Sequence, residues 1–198
     1  MRKLLLSIVI LLFFISCSQQ NNNEKFECCD PHATIYLQPY EDFSEKEVEK
    51  LLPTLEKYFN LNYGYWNFEI KKPINLPLES KQGKKYKSII ILNSEKKLLK
   101  GNEIIIGLTH KDICTDAHNI KNYGIVGQSY CPGNVCIVSD KRLKDKSQIY
   151  KPILHEFMHA FYGSKHCPND DPTCFMVDAK GKGNFSIQNR LCNKCIKK

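Results

Sequence analysis

The stretch His155-Glu156-Phe157-Met158-His159-Ala160-Phe161-Tyr162-Gly163-Ser164-Lys165-His166-Cys167 decides how the rest of the chain is read. His155 and His159 stand four residues apart, so on a helix their imidazoles leave one face a turn apart, within reach of a single zinc ion. Glu156 lies beside them, where a carboxylate can take a proton from an activated water and pass it to a leaving amine. A half-buried histidine pair on an amphipathic helix is the bland alternative. His166 follows beyond Gly163, a residue suited to ending a helix and letting the chain turn back.

Working outward, the helix that carries this stretch is expected from about Ser147 to Gly163. Upstream the pattern alternates. Ala33 to Leu37 suits a strand that Pro39 helps to end. Ser44 followed by Glu47 is a capping box for a helix in which Val48, Leu51, Leu52, Leu55 and Phe59 recur at helical spacing. Pro53 falls inside that pattern and predicts a kink or a late start. Tyr65 to Ile70 reads as a second strand, with Pro73 and Pro77 bounding the loop after it. Ile89 to Leu92, continued to Leu98 and Leu99, fits a helix better than a strand. Glu103 to Leu108 reads as a strand. So does Val135 to Val138, after a Pro132-Gly133-Asn134 turn. The tail from His166 to Lys198 is poor in apolar residues and rich in Cys, Gly, Asn and Asp, so it needs staples to stay folded.

Length and composition allow one domain. The chain has 198 residues, 42% hydrophobic and 25% charged, enough for a sizeable core and ordinary for a globular protein. Residues 1–16 stand apart. Arg2 and Lys3 precede an apolar run ending at Ile15 that is too short for a permanent membrane helix and reads as a signal peptide. Phe14-Ile15-Ser16-Cys17 resembles the bacterial lipobox, which makes Cys17 the lipidated N-terminus of an exported cell-envelope lipoprotein. An ordinary secretory signal with an incidental cysteine is the alternative. Residues 17–25 form a polar tether, and residues 26–198 the single folded domain, divided into 26–163 and a Cys-rich 164–198. Loss of Arg2 and Lys3 takes the formal charge from +8 to +6. The lysines are scattered without aromatic interleaving, so nucleic acid is not an expected partner. A basic surface near anionic lipid is the simple reading.

Ten cysteines need an accounting. With Cys17 given to lipid, an odd number remains, so disulfides alone cannot use them all. Cys192 and Cys195 have the two-residue spacer of a metal knuckle. Together with Cys167 and Cys174 they form either a metal site or two disulfides of an oxidising compartment. Cys131 with Cys136, and Cys28 or Cys29 with Cys114, are disulfide candidates. His32, His110 and His118 read as surface histidines.

The quoted stretch, followed by Cys174-Phe175-Met176 and Cys192-Asn193-Lys194-Cys195, resembles the archaemetzincin family of metzincin metalloproteases. Tyr123 to Gly127, Val135 to Ser139 and Arg142-Leu143 are also similar, so the likeness runs over about residues 86–195. The resemblance implies an α/β (α+β) metzincin-like fold: a small, mostly parallel sheet with an antiparallel edge strand, packed on helices that include the zinc-binding one. It implies His155, His159 and His166 as ligands of a catalytic zinc, Glu156 as general base and Met176 as the turn methionine. It also implies Cys167, Cys174, Cys192 and Cys195 as ligands of a second, structural zinc. Two departures stand out. Ala160, Phe161 and Tyr162 separate His159 from Gly163, one residue more than the family has, so the helix must run longer or the turn must bulge. Cys167 and Cys174 lie two residues further apart than usual.

The implied activity is zinc-dependent hydrolysis of peptide bonds by a monomer acting on a peptide or protein. The peptide is expected antiparallel along a sheet edge supplied by Val135 to Ser139, with Tyr162 or Tyr150 as oxyanion donors. Two other classes fit the same motifs. One is an inactive zinc-binding surface lipoprotein serving as a binding module, and the other a structural lipoprotein whose metals are folding aids.

Overall fold

The structure is a computed structural model that describes residues 33–178 and 185–196. Residues 1–16, read above as a signal peptide, Cys17 and the polar residues after it, Cys28, Cys29 and His32 lie outside these residues. No helix among the described residues is long and apolar enough to cross a membrane.

The main sheet is built from β1 (Thr34–Pro39), β2 (Asn67–Ile70), β5 (Ile104–Thr109), β8 (Gly127–Ser129) and β9 (Val135–Ser139), in the order β2-β1-β5-β9-β8. The first four pair in parallel, and β8 closes the edge antiparallel to β9. The fold is thus mixed α/β, a mostly parallel sheet with one antiparallel edge. β5 and β9 read as unbroken apolar runs because both of their faces are covered. On one face Ile104, Ile106, Leu108, Cys136 and Val138 join the larger core under α1 (Glu45–Tyr63) and α3 (Tyr150–Ala160). On the other, Ile105, Val135 and Ile137 meet Ile91 and Leu92 of α2 (Ser88–Lys96).

α1 begins at Glu45 with the full capping box, Ser44 receiving the Glu47 amide and Glu47 receiving that of Ser44. The late start anticipated from Pro53 does not occur, and the helix continues through that residue. Pro53 removes one internal hydrogen bond, but Val48, Leu55, Phe59 and Tyr63 bury a continuous stripe whose packing outweighs it. Ile89 to Leu92 lie in a helix, as their extended pattern predicts.

A second sheet, order β3-β4-β6-β7, was not legible in the sequence. It comprises β3 (Lys81–Gln82), β4 (Lys85–Lys87), β6 (Asp112–Ala117) and β7 (Ile120–Ile125). β6 and β7 form a hairpin that leads straight into β8, so this small sheet stands as a wall beside the edge of the large one. β9 pairs with β5 on one side and β8 on the other. Val135 to Ser139 therefore offers no free edge. The edge is β8.

α3 opens with a 3-10 turn, Lys146–Ile149, and is planted by its apolar face. Phe157 packs between Phe59, Tyr63 and Trp66, with ring centroids 4.7 to 5.3 Å apart. His155, Glu156 and His159 leave the opposite face.

One buried acid lies far from that face. Glu95 of α2 is fully enclosed, accepts a hydrogen bond from the Tyr40 hydroxyl at 3.0 Å and fills the space left by the missing side chain of Gly107. Burial raises its pKa well above the ordinary 4.5. A carboxyl with a higher pKa in the folded chain stabilises below its unfolded pKa, and that contribution is lost as pH rises toward the folded value. The Tm of Glu95→Gln relative to the parent should therefore rise as pH is raised above about 4.5, read as the difference in Tm between the two proteins at each pH.

Candidate metal centre

His155 and His159 point their Nε2 atoms at one another, 3.0 Å apart. The reason lies on the other side of each ring. His155 Nδ1 meets the Phe175 carbonyl at 2.7 Å, and His159 Nδ1 meets the Ser164 carbonyl. A carbonyl accepts only, so each Nδ1 carries the proton and each Nε2 presents a lone pair. Burial pushes both imidazoles down to about 4, which keeps them neutral at physiological pH. Two lone pairs facing across 3.0 Å repel unless a cation lies between them. Imidazoles on one tetrahedral zinc with bonds of about 2.0 Å stand roughly 3.3 Å apart, so the pair fits such an ion.

His166 joins them. Its ligand atom lies within 4.8 Å of both others, and its Nδ1 faces the Asp178 carboxylate at 3.9 Å. The extra residue before Gly163 is absorbed at the helix end. Gly163 takes a positive φ of 60°, and the Ser164 amide closes on the Met158 carbonyl six residues back. That closure is one residue wider than the usual Schellman ending. The same turn aims the Ser164 carbonyl at His159. Of the two ways to accommodate the residue, the structure takes the bulged turn.

Glu156 is 8% exposed, and burial raises its pKa, opposed by His159 and by Ser129. The Ser129 hydroxyl of β8 donates to its Oε2 at 2.8 Å. Gly127, two residues earlier on the strand, leaves room for it: a Cβ there would meet Glu156 Cγ at 2.7 Å and Oε1 at 2.8 Å. Two cavities share His155 and Glu156. One, of about 750 Å³, runs along β7 and the start of β8; the other, of about 590 Å³, runs past Ser129 toward His166.

The four tail cysteines form a second cluster. Cys167, Cys174, Cys192 and Cys195 are buried, reduced and mutually within 4.8 Å. Sulfur separations of 3.5 Å for Cys167 to Cys192 and 3.6 Å for Cys192 to Cys195 are close to the roughly 3.8 Å edge of a tetrahedral zinc–thiolate site. Burial pushes the Cys174 thiol up, and the amides of Met176 and Cys192, which donate to its Sγ at 3.4 Å, oppose that push. The longer Cys167 to Cys174 interval is taken up by a loop stapled at Asp171, which accepts from Thr173 and from Arg190. The tail thiols form no disulfides, and the anticipated Cys131 to Cys136 bridge is absent too. Cys136 is enclosed within β9, whereas Cys131 is exposed beyond the end of β8.

No family model matches the chain. An archaemetzincin of Methanopyrus kandleri is 35% identical over 78 residues, 36% of this chain and 41% of that protein, so the matched part spans about two fifths of the relative. The crystal structure of archaemetzincin from the same organism superposes with a TM-score of 0.71 over 85% of this chain and 93% of that one, at 21% identity. The chain has the archaemetzincin fold.

Within that archaemetzincin-like frame, Met176 is fully buried in a tight turn, where the Val177 amide closes on the Cys174 carbonyl at 3.2 Å. The same turn presents the Phe175 carbonyl to His155. Neither tyrosine considered as an oxyanion donor lines either cavity. Tyr162 is buried against Tyr63 and Phe157, and Tyr150 stacks on Tyr58 at 4.4 Å. His110 is no plain surface residue: it stacks on Phe43 and bridges Glu47 and Asp140. Ser129, Gly127, Ser164 and Phe175 escaped sequence reading, since two act through backbone carbonyls and two belong to a short strand of weak pattern.

Because Gly127 is packed on Glu156, Gly127→Ala should displace the carboxylate from Ser129 while leaving the histidines in place. A crystal structure of the variant would show the Ser129 to Glu156 distance lengthened beyond 3.5 Å, the limit of a hydrogen bond.

Proposed function

We propose that this chain is a zinc-dependent peptidase in which His155, His159 and His166 hold a catalytic zinc and Glu156 is the general base. One observation carries the reading: three imidazoles converge on a point beside a buried, serine-tethered carboxylate, at the floor of a cleft. The archaemetzincin fold supports it. When bound, the zinc supplies the Lewis acidity that polarises a scissile carbonyl and eases deprotonation of water. Glu156 takes the proton of the attacking water and returns it to the leaving amine. Its raised pKa suits that exchange, and Ser129 keeps Oε2 occupied so that Oε1 is left for the proton.

A peptide in the cleft pairs with β8, the antiparallel edge strand, and β8 delivers Ser129 and Gly127 to the base through the same backbone. The cysteine cluster holds a second, structural zinc that fixes the turn carrying the Phe175 carbonyl. The protein acts as a monomer on a peptide or protein substrate. It is exported, with Cys17 as a lipid anchor on the cell-envelope face; a palmitate probe should label the parent in cells and not Cys17→Ala.

The purified protein should contain two zinc ions per chain by elemental analysis. Glu156→Ala should keep both and lose peptide cleavage by about 10²- to 10⁴-fold. His166→Ala should lose one ion, and Cys192→Ser with Cys195→Ser the other, the latter with a fall in Tm. Zinc held by the cysteines alone, with no cleavage across a peptide library, would overturn the peptidase reading and leave a binding module.

A further inference from the structure

The larger of the two cavities beside Glu156 is unevenly charged. Lys85, Lys121, Arg142 and Lys144 line it, and the one acidic residue among its lining is Glu156 itself, at the floor. Arg142 is committed: its guanidinium makes a two-point pair with Asp112 at 2.7 and 2.8 Å, and it lies so close on Gly124 that a Cβ there would meet Nη2 at 1.9 Å. It therefore forms wall. The lysines are different. Lys85 donates to the Asn122 carbonyl at 2.8 Å, a neutral partner, and none of the three lysines forms an ion pair among the described residues. Of the carboxylates nearby, Asp116 is held by Lys87 while also facing Lys121, and Asp178 faces His166. The half-cleft thus carries more positive than negative charge, with Lys85 half-buried in its wall and Lys121 and Lys144 exposed at its rim, and the concave surface concentrates that field on a bound carboxylate.

The direction of a bound peptide decides which of its residues meet that charge. β8 runs from Gly127 to Ser129. Its N-terminal side continues back into β7 along the basic cavity, and its C-terminal side leads to Cys131 and the other cavity. A chain antiparallel to β8 enters with its N-terminal half beside Ser129 and leaves with its C-terminal half along the lysines. We infer that the enzyme selects substrates bearing a carboxylate C-terminal to the scissile bond, supplied either by an Asp or Glu side chain or by the free C-terminus of a short peptide. This rests on the peptidase reading and adds the substrate class to it.

The test uses the zinc-loaded protein and matched quenched-fluorescent peptides that differ only at the first three positions after the scissile bond. With amidated ends, Glu or Asp should raise kcat/KM about tenfold over Gln and further over Lys, chiefly through KM, and the ratio should shrink in 0.5 M salt. If the free terminus is what the lysines bind, amidation should cost that tenfold and internal Glu should not restore it. Lys144→Glu combined with Lys121→Glu should reduce or invert the Glu-to-Lys ratio, a quantity independent of how much active enzyme each preparation holds. Equal cleavage of Glu, Gln and Lys peptides, indifferent to amidation, would overturn the inference and leave the peptidase reading intact. Failure to cleave any peptide would overturn both.

Discussion

Two carbonyl oxygens, those of Phe175 and Ser164, set up the centre of this molecule. Each takes the Nδ1 proton of a histidine on α3 and so fixes the tautomer, turns the ring and directs a lone pair inward. The helix alone supplies spacing. The carbonyls supply orientation, and they come from segments that follow the helix: the turn at its end and the turn at Cys174 to Val177. The fold on the N-terminal side exists, in this sense, to hold α3 still. The aromatic packing of Phe157 under one face leaves the other free to be aimed.

That dependence gives the thiol cluster a meaning beyond local stapling. Cys174 sits one residue before the carbonyl that orients His155, and Cys167 one residue after His166. Cys167 also donates its amide to the Met176 carbonyl at 2.7 Å. All four sulfurs lie in the same buried core as Tyr63, Met158 and Leu191, at the back of the helix that carries the histidines. A shift of the cluster is transmitted to two imidazoles through bonds that have little slack. The histidine centre and the thiol centre are therefore mechanically one unit, although they would hold separate ions.

Much of this was readable beforehand, for identifiable reasons. The capping box at Ser44, the periodic stripe through Phe59, the apolar runs of β5 and β9 and the histidine spacing all express strong local preferences. The small second sheet was hidden because its strands, such as Lys85 to Lys87 and Asp112 to Ala117, are short, largely polar and twisted around a turn of positive-φ residues at His118 and Asn119. Val135 to Ser139 reads as the edge for a related reason: an apolar strand stands out in a sequence, whereas the true edge, Gly127-Gln128-Ser129, has almost no hydrophobic signature. Backbone acceptors are invisible to any reading of side chains. Tyr162, a candidate oxyanion donor in the sequence, lies outside both cavities because the helix ending turns its ring onto Tyr63 and Phe157.

The widened ending of α3 leaves His166 grouped with His155 and His159. The interval between the second and third histidines is ordinarily treated as a ruler, with each residue counted. In this chain an added residue is taken up where the Ser164 amide reaches back to Met158, and both His166 and the Ser164 carbonyl still arrive where they are needed. What the turn preserves is a pair of endpoints, not a length. A pattern written in fixed intervals will pass over such chains, whereas one written as which acceptor each ring must face would find them.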